Sequence, residues 1–213
     1  MGQAKRKAKH RAETDRLVKS FDFARLAAAI NKLTDAASSH AGGDCYTHVV
    51  LAHEILARHG IDSTITIGFA AFRVGNGSGD VIVHGPMPDT PYQPSAVPYH
   101  AWVEIGSYIF DSSVKQLRRK AAELDALDGG HTNVEWCPDY LLVKKDTVSS
   151  LKDVIQLGAG LYNYQHNKQV QDFIISTAPP VDQEDALVAL AIFCDPTLIV
   201  VGPNSAPVAG GQR

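Results

Sequence analysis

The stretch Tyr99-His100-Ala101-Trp102-Val103-Glu104-Ile105-Gly106-Ser107-Tyr108-Ile109-Phe110-Asp111-Ser112-Ser113 decides the fold. Aromatic and β-branched residues alternate on both sides of Gly106-Ser107, a pair suited to a tight two-residue turn. The stretch therefore predicts a β-hairpin. Centring the turn there sets Ile105 against Tyr108, Val103 against Phe110 and Trp102 against Asp111. Ala101, Val103, Ile105, Tyr108 and Phe110 then form one apolar face. His100, Trp102, Ile109 and Asp111 form the other. His100 and Asp111 become diagonal neighbours, about 7–8 Å apart at Cα and within side-chain reach. A one-residue slip would separate them. A carboxylate so placed can hold an imidazole by one nitrogen and leave the other free for a thiol.

Upstream, the thiol is in place. Ser38-Ser39-His40-Ala41-Gly42-Gly43 reads as a loop, and Asp44 as the N-cap of a helix from Cys45 to about His59, closed by Gly60. Cys45 is then the first helical residue, where free backbone N–H groups and the helix dipole favour a thiolate, the nucleophilic form. Cys45, His48, Val49, Ala52 and Leu56 share one stripe. Ile61–Val74 reads as a strand, and 80–84 as a shorter one after a glycine turn. Pro86, Pro88, Pro91, Pro94 and Pro98 mark 85–98 as a long, stiff loop leading into His100. That loop is expected to border the site, with Tyr99 or Tyr92 facing a pocket.

Farther out, residues 3–37 read as helix broken near Ser20. Val114–Leu127 reads as helix, Tyr140–Lys144 as strand and Ala186–Cys194 as a buried helix. Residues 147–177 carry no clear period. The predicted class is α+β, with a nucleophile helix packed on an antiparallel sheet, an N-terminal helix and a C-terminal helical extension. The expected layout is a basic helix or arm over 1–20, a single domain over 21–200 and a flexible tail over 201–213.

Composition limits the options. The 213 residues are 45% hydrophobic and 20% charged, which excludes a mainly disordered chain. Residues 1–20 hold seven basic against two acidic residues, and the remainder 13 basic against 21 acidic. An acidic body argues against a dedicated nucleic-acid-binding fold, leaving only the basic head to touch RNA. The longest apolar run, Ala186–Cys194, is too short to cross a bilayer. The head lacks the apolar core of a signal peptide, and Cys45, Cys137 and Cys194 form no CxxC pair. A cytoplasmic protein with reduced thiols is expected.

Gly43-Asp44-Cys45 with its helix, His100-Ala101-Trp102-Val103-Glu104-Ile105 and Phe110-Asp111 resemble, in that order, the nucleophile, histidine and aspartate segments of the transglutaminase-like proteins of the papain-like superfamily. The resemblance covers about residues 38–114. It implies a papain-like α+β fold and a Cys45-His100-Asp111 triad running acyl transfer on a peptide or protein amide through a thioester, with no cofactor. The oxyanion donors would be the Cys45 N–H and, where relatives often carry Gln, Ser39. Tyr46 stands where a tryptophan is typical. Gly42-Gly43-x-Cys45 is also similar to the arylamine N-acetyltransferases, which would require acetyl-coenzyme A; no such site is announced here. A non-catalytic binding module of the same fold is the other alternative.

Around the triad, Trp102, His48 and Tyr99 are candidate substrate contacts, with Trp102 alternatively filling a second core and His48 alternatively packing. Zinc on Cys45, His48, His53 and His100 is not expected: His48 and His53 are five apart on one helix and point in different directions, and no H-E-x-x-H motif is present.

Overall fold

The computed structural model of the chain describes residues 2–38, 43–86, 98–179 and 182–205. Helices α1 (Gly2–Ser20), α2 (Phe23–Ala37) and α3 (Cys45–Arg58) come first. Strands β1 (Thr64–Arg73), β2 (Val81–His84), β3 (His100–Ile105) and β4 (Tyr108–Asp111) follow. Then come α4 (Leu117–Asp128), β5 (Leu141–Lys144), α5 (Leu151–Gln156), β6 (Tyr162–His166), α6 (Lys168–Thr177) and α7 (Gln183–Cys194). The class is α+β: a curled antiparallel six-stranded sheet with helices.

The hairpin has the register its alternation predicts. Val103 pairs with Phe110 and Ile105 with Tyr108, around Gly106 at φ 58°. β1 organises the rest of the sheet. Ala70 pairs with both His84 and Tyr164, and Gly68 with both His100 and His166. A strand has two edges, so β2 and β3 lie end to end along one edge and β6 along the other. The chain between β2 and β3 therefore leaves the sheet at His84 and rejoins it at His100, opposite positions two residues apart on β1.

The two faces do different work. Ile67, Ala101, Val103, Ile105 and Phe110 pack on Leu26 and Ile30 of α2, Ile55 and Leu56 of α3 and Ala186, Ala189 and Ile192 of α7. Each fully buried valine, leucine, isoleucine or phenylalanine among them contributes roughly 1.5–3 kcal/mol. The opposite face carries Ala70, Phe72 and Ile82, covered by Val114, Leu117 and Ala121. His100, Trp102, Asp111 and Tyr164 share that second face.

Several boundaries depart from expectation. β1 starts at Thr64, not Ile61, and β6 was hidden in the unperiodic stretch. Residues 113–116 form a single 3₁₀ turn before α4. α7 is buried on one side only: Leu187 is 53% exposed, while Ala186, Ala189 and Ile192 face inward. The sequence there is apolar all round, so its period hid the outer face. α1 is the separate N-terminal helix expected, and Thr14 lies against Gly106, where an added Cβ would come within 2.9 Å of it. No described helix is long and apolar enough to cross a membrane.

Candidate active site

Cys45 opens α3, as its spacing predicts, and is buried at 9% exposure. At a helix start the first N–H groups have no partner within the helix. α3 is pinned by Val49, Ala52, Ile55 and Leu56 in the core beneath β3, so its first turn is held at the end of the sheet where β3 begins. Asp44 precedes it but does not cap it with its side chain. Its backbone, at φ −103° and ψ 24°, is not the extended conformation that aims a capping side chain at the first-turn amides. Ser150 and Asn167 are extended, and each caps its helix.

The hairpin brings His100 and Asp111 together in the interior. His100 Nε2 donates to Asp111 Oδ2 at 2.7 Å. Tyr164, on the far edge of β1, donates its hydroxyl to the same oxygen at 2.8 Å. Oδ1 accepts from the Ser113 backbone N–H and hydroxyl, at 2.9 and 2.8 Å. Burial works against a charge on Asp111, but the positive His100 beside it and its hydrogen bonds from His100, Ser113 and Tyr164 hold the carboxyl below its ordinary range. Burial alone would likewise lower the imidazole. The charge and hydrogen bond of Asp111 outweigh it, the Cys45 sulfur adds to them, and His100 is pushed up to about 10. Nδ1, the nitrogen turned away from Asp111, forms no hydrogen bond of ordinary geometry. The Cys45 sulfur is therefore close enough to act on the ring.

Aromatic rings enclose the pair. Phe72 lies edge-on at 5.3 Å from the His100 ring, and Trp102 stacks behind it at 6.5 Å. Trp102 is 1% exposed, so it fills the second core rather than meeting substrate. His84, at the end of β2, lies 4.9 Å from His100. Burial and the neighbouring His100 push His84 down to about 3, keeping it neutral. Neither His84 nor Tyr164 was singled out from sequence. Tyr164 sits in the unperiodic 147–177 stretch, and His84 becomes relevant only once β2 and β3 share an edge.

A second histidine–carboxylate pair stands beside the first. His48 is buried on α3. Its Nδ1 lies 3.1 Å from Ser112 Oγ, and the Gln116 amide nitrogen lies 3.2 Å from its Nε2. Burial keeps its pKa below the ordinary value despite Asp44, Asp111 and Asp35, so the ring is neutral. A neutral ring accepts the Gln116 N–H at Nε2 and donates from Nδ1 to Ser112. Asp44 Oδ1 lies 3.6 Å from that same Nε2, which then has no proton to offer it. His48 is thus a strut between α3 and the turn after Asp111, not a substrate contact. His53 is likewise occupied, with Nδ1 2.9 Å from Ser63 Oγ. Among the described residues no three His, Cys, Asp or Glu converge as metal ligands.

A cavity of about 490 Å³ lies between α2, the start of α3 and α6. Asp44 and Tyr46, which flank Cys45, line it, as does Tyr99, which precedes His100. Burial, with Cys45 and Tyr46 nearby, pushes the Tyr99 phenol up to about 12. Of the three expected substrate contacts, Tyr99 alone faces this space. Ser39, Tyr92 and the middle of the proline-rich loop lie outside the described residues, although the two ends of that loop adjoin the His84–His100 contact.

A family model described as "Protein of unknown function (DUF2026)" matches residues 19–125, half of the chain, and that segment carries Cys45, His100 and Asp111. Among solved structures, the crystal structure of genomics APC5867 matches with a TM-score of 0.57 at 18% identity, covering 80% of this chain and 78% of the other. At that identity the likeness is one of fold. No curated protein matches the chain.

Proposed function

The chain belongs to the DUF2026 family, and we propose that it is a cysteine-dependent acyl-transfer enzyme with a papain-like, transglutaminase-like fold, acting on an amide of a peptide or protein. The observation that carries the reading is the His100 ring: Nε2 is tied to a buried carboxylate, while Nδ1 has no partner other than the Cys45 sulfur, which acts on the ring. A purely structural buried histidine would ordinarily have both nitrogens satisfied.

In the proposed reaction His100 holds the proton that leaves Cys45, as its strengthened basicity favours. The sulfur attacks the amide carbonyl carbon, forming a C–S bond and an oxyanion. In this reading the Cys45 backbone N–H, at the helix start, stabilises that charge. His100 Nδ1 then gives its proton to the leaving nitrogen as the C–N bond breaks, producing an amine and a thioester on Cys45. Water or a neutral amine attacks the thioester, returns a proton to His100 and frees the thiol. Asp111 holds the ring's orientation and offsets its charge throughout.

The test uses p-nitrophenyl acetate as a minimal acyl donor. One equivalent of p-nitrophenolate should be released in a burst, with an acetyl group found on Cys45 by peptide mass spectrometry. Cys45→Ala and His100→Ala should each abolish the burst. A burst that survives Cys45→Ala would refute the proposal.

A further inference from the structure

Asp111 is held from two directions. Its Oδ1 is taken by Ser113, two residues on, through the backbone N–H and the hydroxyl. The turn after β4 supplies both of those donors locally. Oδ2 is different. It accepts from His100 Nε2 at 2.7 Å and, from a remote segment, from the Tyr164 hydroxyl at 2.8 Å. Tyr164 lies on β6, and the strand order there is β6-β1-β3-β4, so its side chain spans β1 and β3 to reach the carboxylate. β6 lies close to β1 where Gly68 stands opposite both His100 and His166; an added Cβ on Gly68 would come within 2.1 Å of the Gln165 carbonyl oxygen. Tyr164 also lies beyond residues 19–125, so the family segment that carries Cys45, His100 and Asp111 does not carry this donor. The ring packs 5.1 Å from Trp102 and 5.7 Å from Phe72. Phenylalanine would fill that space as well and bury no hydroxyl. Packing therefore explains the ring and leaves the hydroxyl to be explained.

We propose that Tyr164 is a positioning residue of the acyl-transfer reaction: by sharing Oδ2 with His100, it lets Asp111 orient the imidazole without gripping its proton too firmly to be exchanged. The inference rests on the acyl-transfer reading for its purpose. Two donors on one carboxylate oxygen compete. While His100 is protonated, its charge already compensates Asp111 and the phenol adds less. Once Nδ1 gives up its proton the carboxylate is less compensated, and the phenol hydrogen bond strengthens. Tyr164 thus favours the ring that has released its proton. The reaction needs such a counterweight, because Asp111 pushes His100 up to about 10 and a group that gives and takes a proton works best nearer the ambient pH. Burial and Asp111 hold the phenol itself well above its ordinary range, so it remains a donor. The other titratable groups acting on the pair are Cys45 and His48 from α3 and His84 from β2, and none of them bonds to Oδ2.

The test is Tyr164→Phe, which keeps the ring and removes the donor. Tyr162→Phe, on the same strand and giving Asp111 no hydrogen bond, is the control. NMR of the histidine-labelled protein reads the His100 Nε2 proton and the midpoint at which Nδ1 loses its proton. In Tyr164→Phe the Nε2 proton should move downfield, because His100 then has Oδ2 to itself, and the midpoint should rise. Replacing Tyr164 by 3-fluorotyrosine, a stronger donor of nearly the same shape, should move both the other way. With p-nitrophenyl acetate the burst of Tyr164→Phe should keep its amplitude. Turnover after the burst should fall about tenfold for each unit by which the midpoint rises. The reason is that p-nitrophenolate leaves without a proton, so His100 must shed one before it can take another from the attacking water. A resonance and midpoint that stay in place in both Tyr164 variants would mean that the side chain only packs, and would overturn the inference. If Tyr164→Phe does not fold, the 3-fluorotyrosine protein, which keeps the hydroxyl, decides it. Shifted resonances with no burst in the wild-type protein would refute the acyl-transfer reading and leave Tyr164 tuning the pair. A normal burst with unmoved resonances would remove this inference alone.

Discussion

Two histidine–aspartate pairs lie in the same interior, and they are opposites. His100 and Asp111 meet at 2.7 Å, with four donors converging on the carboxylate. His48, in the first turn of α3, and Asp44, just before it, stand 3.6 Å apart with no hydrogen bond between them. Burial disfavours charge in both. In the first pair a close, direct bond to a buried carboxylate that is itself fully hydrogen-bonded overcomes it, and the imidazole holds its proton. In the second, Ser112 and Gln116 satisfy the ring as a neutral group, and the carboxylate is left over. The identity of the partner does not decide protonation; the closeness of the carboxylate, which sets both its charge interaction and its hydrogen bond, does.

Breaking the first pair should have the largest effect. Asp111→Asn leaves a buried imidazole facing a neutral amide and should cost about 3–5 kcal/mol, read as a denaturant midpoint shift at unchanged m-value. Tyr164→Phe, removing one donor of four, should cost only about 1 kcal/mol. The pH sign also follows. His100 is raised to about 10, so its stabilisation is full below pH 6.5 and is lost as pH rises through about 10. Asp111→Asn should flatten that alkaline slope. An unchanged alkaline profile would mean that Asp111 does not hold the proton on His100.

The second pair should show the reverse. His48 is lowered, so the unfolded chain takes up a proton the folded one refuses, and the stability it contributes falls as pH drops below 6.5. His84 acts with the same sign. His48→Gln should therefore weaken the acid-side loss without abolishing it, at a cost of about 1–2 kcal/mol at pH 8 from the missing strut. A steeper acid-side loss in the variant would contradict a neutral His48.

The contrast also separates what the sequence makes legible from what it hides. The first pair could be located because period-two alternation and Gly106-Ser107 fix a register, and register fixes diagonal neighbours. Cys45 was legible from a helix start after glycines. Asp44 misled: its residue type suits a cap, but the cap depends on backbone angles the sequence does not display. Tyr164 was hidden because Tyr-Asn-Tyr-Gln-His has no apolar alternation, its strand being specified by pairing with β1. Trp102 could belong to either a pocket or a core, and only its burial, with Tyr164 packed on it, decides for the core. The outer side of α7 was lost because Leu187 and Val188 are apolar yet exposed.

The central claim is that Cys45 is activated by His100, and accessibility argues the other way: Cys45 is buried, Cys137 partly buried and Cys194 exposed. Brief iodoacetamide treatment at pH 7, followed by peptide mapping, sets the two expectations against each other. The account predicts that Cys45 is labelled first and that His100→Ala reverses the order. Labelling that follows exposure, with Cys194 first and Cys45 last in the wild-type protein, would contradict it.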